Sequence, residues 1–233
     1  GRESRRSLPP EILARLAVAF LEQTGQARLF LLGSAAEAPV AKAVLRALPP
    51  GIAKQTKDLA GKTDWAGLVD VLLGLDRVFT PDTGSMHLAA HLGVPVSAFF
   101  LSSAWCFETG PYGLGHTVYQ AVTDCLPCLE TRGCDQQVRC LDPFRNPGFV
   151  RFLLTGNPEH APDGVLGLSS ALDRLGAHYT AFSGQDADLP ERQKFRDFLS
   201  RHLHLPGAAA EPPQPDLAAR FYQDRDWLVE NRQ

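Results

Sequence analysis

No stretch of this sequence is apolar for long enough to cross a bilayer, and its first residues show no signal-peptide pattern. A helical membrane span is therefore excluded, and nothing points to secretion. Neither sign of charge is in surplus: 23 Lys and Arg face 26 Asp and Glu, a net charge of −3. That balance gives no general attraction to nucleic acid or to anionic membranes. There is no internal repeat, which argues against a solenoid. Methionine is nearly missing: Met86 is the single one and Gly1 comes first, so the chain reads as a piece of a longer protein. Hydrophobic residues are not scarce. At 44 % they suffice for one packed domain with appendages.

The local patterns alternate between strand and helix. Pro9-Pro10-Glu11 opens a helix with Ile12, Leu13, Leu16, Ala17 and Phe20 on one face, and Gly25 ends it. "RLFLLGS" (28–34) reads as a strand, and a helix follows over about 36–47. Another helix starts after Asp64, whose carboxylate suits an N-cap. "DRVFT" (76–80), a helix over 86–92 and "VPVSAFF" (94–100) then make a strand, helix and strand in succession, and "TVYQAV" (117–122) is a further strand. Such alternation predicts an α/β fold, a Rossmann-like parallel sheet with helices on its faces. Ligands of such sheets bind beyond the carboxyl ends of the strands, where Gly33, Lys62 and Asp82 to Gly84 should gather. Asn146-Pro147 predicts a short helix. Residues 156–164 read as a linker that separates a domain over 1–155 from a helical extension over 156–233. In that extension helices are expected over 165–175, 190–203 and 216–230, with a Pro-rich spacer at 206–215.

The segment "TPDTGSMHLAAHLGVPV" (80–96) contains Asp82-Thr83-Gly84-Ser85. An Asp-Thr-Gly can be the dyad half of an aspartic protease, but there the triplet lies between strands, whereas here it opens a helix. The first amides of a helix lack partners and carry the positive end of its dipole, so phosphate binds there, and Gly84 would let the backbone come close. His87 and His91 are spaced like two zinc ligands. The Glu that a metalloprotease needs directly after the first His is Leu88, which argues against that chemistry. His87, near the helix start, is placed to donate to a bound phosphate.

Four of the five cysteines lie in "CLPCLETRGCDQQVRC". Cys125, Cys128, Cys134 and Cys140 follow the spacing C-x2-C-x5-C-x5-C, and four thiolates so close could hold a tetrahedral zinc. Metal ligation and reduced thiols are both open readings. Two disulfides fit less well in a chain without a secretory signal. Cys106 stands outside the set.

Taken together, "LAGKTDWAGLVDVL" (59–72), "TPDTGSMHLAAHLGVPV" (80–96), "ETGPYGLGH" (108–116) and the "CLPC" segment (125–140) resemble glycosyltransferase family 9, the ADP-heptose:lipopolysaccharide heptosyltransferases. The ordered set covers residues 1 to about 150. The resemblance implies a GT-B enzyme, of which this chain looks like the C-terminal half that holds the donor nucleotide-sugar. Thr83, Gly84, Ser85 and His87 would then contact the donor diphosphate, and Asp82 would face sugar hydroxyls or fix the turn. Thr63 would lie beside the base, Glu37 would accept from the ribose, and Lys62 and Arg6 would reach phosphates. No catalytic residue is expected in this chain, because the family carries its base in the N-terminal, acceptor-binding half. The reaction implied is inverting transfer from an ADP-sugar, ADP-heptose above all, to a lipid-linked or lipopolysaccharide acceptor. It needs no cofactor; a structural zinc is the one metal the segment suggests. The implied location is cytoplasmic, peripheral to the inner face of the bacterial inner membrane. "LSSAWCFE" (101–108) departs from the family's Gly-Pro-Thr-Asp-Pro loop and bears on which sugar is carried. A rival reading is a non-catalytic module of the same family, stabilised by metal and used for binding or assembly.

Overall fold

The computed structural model describes residues 5–25, 27–128 and 133–205. The chain divides into two units, one of residues 1–171 with 177–185, the other of residues 172–176 with 186–233.

In the first unit α1 (Pro10–Thr24) begins with Pro at its first turn and ends at Gly25, whose φ of 74° suits a residue without Cβ. Strands β1 (Phe30–Leu31) and β2 (Lys57–Asp58) pair in parallel, separated in sequence by α2 (Ala38–Ala47) and α3 (Pro50–Gln55). Their ladder runs past both strands: the amides of Lys57, Leu59 and Gly61 donate to the carbonyls of Leu29, Leu31 and Gly33. There follow α4 (Trp65–Leu73), β3 (Val78–Pro81), α5 (Gly84–His91), β4 (Val96–Phe100), the short α6 (Cys106–Thr109) and β5 (Thr117–Ala121). Next come α7 (Asp142–Arg145), α8 (Pro147–Thr155), β6 (Val165–Asp173) and β7 (Gly176–Ser183).

Strands β3 to β7 form a second sheet in sequence order, with β3, β4 and β5 parallel and β6 antiparallel to β5. Every residue of β4 is buried, as an uninterrupted apolar run covered on both faces requires. On one face Val96, Ala98 and Phe100 pack with Met86, Ala89 and Ala90 of α5 and with Leu72 of α4. On the other, Phe99 packs with Ile12 and Leu16 of α1 and with Phe144 and Phe149 of α7 and α8. Gln120 of β5 is fully buried, and its amide is satisfied locally: Oε1 accepts from the Cys106 amide at 3.0 Å and Nε2 donates to the Ala121 carbonyl at 3.0 Å. Among the described residues no helix is long and apolar enough to cross a membrane.

Two expectations need correction. The helix predicted over 165–175 is strand β6, paired with β5 from Val165 opposite Ala121 to Ser169 opposite Thr117. Gly167 explains the choice: a Cβ there would stand 2.7 Å from the rings of both Phe152 and Phe182. Sheet pairing and close aromatic packing thus override the helical look of the Leu and Ala residues. Residues 156–164 are accordingly not an interdomain linker but part of the first unit, where the Gly164 carbonyl accepts from Val122 at 2.8 Å. Helices were read correctly after Asp64 and after Asn146, which caps α8 by accepting from Gly148 at 2.8 Å.

In the second unit α9 (Leu189–His202) matches the helix expected at 190–203. Arg196 grips both carboxylate oxygens of Asp173 at 2.6 Å, and Arg192 pairs with Asp186. The expected spacer at 206–215 and the helix at 216–230 lie outside the described residues.

Candidate nucleotide site

The carboxyl ends of β1, β2 and β3 face one cleft of about 640 Å³. Three loop-to-helix turns line it, at Gly33 to Glu37, Gly61 to Trp65 and Asp82 to Ser85, together with Arg6 from the segment before α1. The approach of the first two turns depends on Gly61, whose φ is 70° and where a Cβ would stand 2.8 Å from the Cα of Ala35.

The helix starts in this cleft differ in how their amides are satisfied. At α4 the Asp64 Oδ1 accepts from the Gly67 amide at 2.8 Å, so a carboxylate already occupies the positive end. At the turn before α2 the Glu37 Oε2 accepts from the Ser34 amide at 2.7 Å and from its hydroxyl at 2.8 Å. At α5 the residue in the cap position, Thr83, makes no side-chain cap bond. Its hydroxyl instead lies 3.1 Å from that of Thr80. The Gly84 and Ser85 amides therefore present their dipole to the cleft without a competing anion from the cap.

Asp82 is the junction beside that helix start. Its side chain is only 6 % exposed, pairs with Arg6 and accepts the Thr109 hydroxyl at 2.9 Å. The His87 Nε2 lies 3.7 Å from its other oxygen. Of the two roles expected for Asp82, the geometry favours fixing the turn.

Arg6, Glu37, Thr63, Asp82, Thr83, Gly84 and Ser85 all border the cleft. Lys62 and His87 are not among the residues lining it. The Lys62 ammonium donates to the Asp58 carbonyl at 2.7 Å, closing its own β2 turn. The sequence reading missed Trp65, which lines the cleft with 73 % of its surface exposed. A tryptophan directly after an N-cap Asp, off the apolar face of its helix, is the signal that could have found it.

None of the five cysteines lines the cleft. None is in a disulfide. Burial raises the thiol pKa of Cys140 and of Cys128, while a hydrogen bond from Thr123 and the nearby Arg139 guanidinium lower that of Cys125. Among the described residues no three His, Cys, Asp or Glu side chains are already arranged as a ligand set.

The sequence profile of glycosyltransferase family 9 (heptosyltransferase) matches residues 14–138. The chain is 36 % identical over 87 residues to lipooligosaccharide heptosyltransferase 2 of Haemophilus influenzae. That alignment takes in 37 % of this chain and 25 % of the relative, so the chain spans a quarter of that protein's length. It is also similar to the solved structure of the E. coli ADP-heptose LPS heptosyltransferase II, with 21 % identity and a TM-score of 0.47 over 60 % of this chain and 42 % of the other.

Proposed function

Because the chain belongs to glycosyltransferase family 9, the heptosyltransferases, we propose that its cleft is the donor site of a glycosyltransferase and takes a nucleotide-sugar, ADP-heptose foremost. The observation that carries this reading is the contrast between the helix ends: α4 has its cap carboxylate on the Gly67 amide, whereas α5 has none. An anionic ligand in this cleft is steered away from Asp64 and toward Gly84 and Ser85.

That polarity orients the whole ligand. With the diphosphate at the α5 end beside Arg6, the nucleoside extends toward Thr63 and Trp65. The indole offers a flat apolar face for the base. The Glu37 carboxylate, though bonded to Ser34, keeps lone pairs for ribose hydroxyls. In transfer, the α5 dipole stabilises the charge that grows on the departing nucleoside diphosphate.

The three carboxylates that border the cleft are all engaged: Asp64 with Gly67, Glu37 with Ser34, and Asp82 with Arg6 and Thr109. Each thus serves the local structure, and the family resemblance implies a base in the acceptor-binding half. The reading therefore assigns the general base and the acceptor, a lipopolysaccharide or other lipid-linked glycan, to a part of the enzyme beyond this chain. By itself the chain binds donor and transfers little.

The test is calorimetric titration with ADP, UDP, GDP and CMP, for the wild-type chain and for Gly84→Ala. A Cβ at Gly84 meets nothing within 4 Å, so the variant keeps its fold while the methyl group stands between phosphate and backbone. Selective ADP binding, weakened roughly ten-fold in Gly84→Ala, is the expected result. Equal affinity in the two proteins would overturn the placement of the phosphates.

A further inference from the structure

Thr109 does not line the cleft, yet its hydroxyl is bonded to a residue that does. It donates to the Asp82 Oδ2 at 2.9 Å, the same oxygen that the Arg6 guanidinium holds. The alternative acceptor, the Trp105 carbonyl, is 3.5 Å away, so the shorter bond to the charged oxygen takes the proton. The other oxygen of Asp82 faces the His87 Nε2 at 3.7 Å, beyond hydrogen-bond length. Asp82 stands between Arg6 and the Thr83-Gly84-Ser85 turn, and all of these residues border the cleft.

The segment that carries Thr109 is fastened at both ends. α6 has only four residues, too few to hold a shape alone. At its start the Cys106 amide donates to the side-chain oxygen of Gln120, a buried residue of β5, at 3.0 Å. At its end the Gly110 amide donates to the Cys106 carbonyl at 2.9 Å, and the Tyr179 hydroxyl donates to the Pro111 carbonyl at 3.0 Å. Gly110 lets these groups meet: a Cβ there would stand 2.5 Å from the Cys106 carbonyl oxygen and would overlap the Tyr179 hydroxyl. The Phe107 ring packs edge-on against that of Tyr179, with centroids 5.9 Å apart. Thr109 itself is exposed, so these neighbours, and not its own burial, fix its place beside the α5 turn.

We infer that Thr109 is a positioning residue of the donor site: acting through Asp82, it sets the Arg6 guanidinium and the turn before α5 in the arrangement that receives the diphosphate. The inference rests on the donor-site reading of the cleft. A carboxylate held by one partner alone can pivot about that bond. With Oδ2 held from two sides the carboxylate keeps one orientation, and the planar guanidinium bonded to it inherits that orientation. A neutral donor does this without adding an anion that would oppose the phosphates or a cation that would displace Arg6. The stretch 101–108, where the sequence departs from the family's Gly-Pro-Thr-Asp-Pro loop, is the one that delivers the hydroxyl.

Two measurements on the whole chain test this, one of them without a ligand. Thr109→Val keeps the shape of the side chain and removes the donor, whereas Thr109→Ser keeps the donor. Because the residue is exposed, both variants should unfold close to the wild-type temperature. In calorimetric titration ADP and inorganic pyrophosphate should each bind Thr109→Val about five-fold more weakly, and Thr109→Ser should recover most of the loss. Equal losses for the two ligands locate the effect at the phosphates. In the ligand-free chain, NMR relaxation should show the Arg6 Nε–H more mobile in Thr109→Val than in wild type and in Thr109→Ser. Wild-type affinities in Thr109→Val, or an Arg6 as rigid there as in wild type, would overturn the inference. A wild-type chain that binds neither ligand would instead refute the donor-site reading, and the Arg6 relaxation would then decide whether Thr109 positions that side chain.

Discussion

Thr109 donates its hydroxyl to the Asp82 carboxylate at 2.9 Å across 27 residues of sequence, joining the end of α6 to the turn that opens α5. Arg6 meets the same carboxylate from 76 residues away. Two distant segments thus converge on one nearly buried side chain, and the shape of the α5 turn depends on it.

Asp82→Asn removes the charge that holds Arg6 while keeping the volume. Because Arg6 is 28 % exposed, the loss is expected to be below that of a fully buried pair, about 1–3 kcal/mol of stability by urea denaturation. A double-mutant cycle with Thr109→Ala should be non-additive, since both changes act on one contact. Additive effects would mean the Thr109 bond does not depend on the Asp82 charge.

Trp65→Ala tests the orientation of the ligand. The indole is mostly exposed, so its loss should leave the thermal midpoint nearly unchanged. Nucleotide affinity should fall by about 1–3 kcal/mol, the usual range for an aromatic ring stacked on a base. If inorganic pyrophosphate loses affinity as much as ADP does, the base is not on Trp65.

Gly61→Ala should be costly where Gly84→Ala is neutral. The first site combines a φ of 70° with backbone 2.8 Å from the new methyl group, and the second has open space. A destabilisation of about 2–4 kcal/mol at Gly61 is expected in the same urea assay. A neutral Gly61→Ala would show that the two turns can separate without loss.

His116 provides a pH dependence. Its ring is buried, its Nδ1 accepts from the Val96 amide at 3.3 Å, and burial holds its pKa below the ordinary 6.5. The folded state therefore prefers the neutral imidazole. Its contribution to stability is complete above 6.5 and is lost as pH falls through the lower folded value. His116→Gln keeps an acceptor for Val96 and cannot titrate, so its stability should decline less than wild type between about pH 7.5 and about pH 5.5. Parallel declines would assign the effect to other groups.

What was legible in the sequence was local. Asp64 as a cap, Gly84 at a helix start and the apolar run of β4 each follow from a few neighbouring residues. What was not legible depends on distant partners. Nothing within 165–175 announces that β5 will pair with it or that two phenylalanine rings will close on Gly167. Lys62 reads equally as a phosphate contact or a solvated lysine, and its bond to the Asp58 carbonyl is visible only once β2 is folded. The resemblance to family 9 supplied Arg6, which no local pattern singles out, but it did not supply Trp65.

The buried amide of Gln120 also bears on how the molecule breathes. A four-residue helix on a connecting segment should fray, and its backbone protons should trade with solvent quickly. The Cys106 proton instead points at a side-chain oxygen inside the sheet. In deuterium exchange it should therefore be retained about as long as the protons of β4 and β5, so that the start of α6 opens only when the sheet itself does.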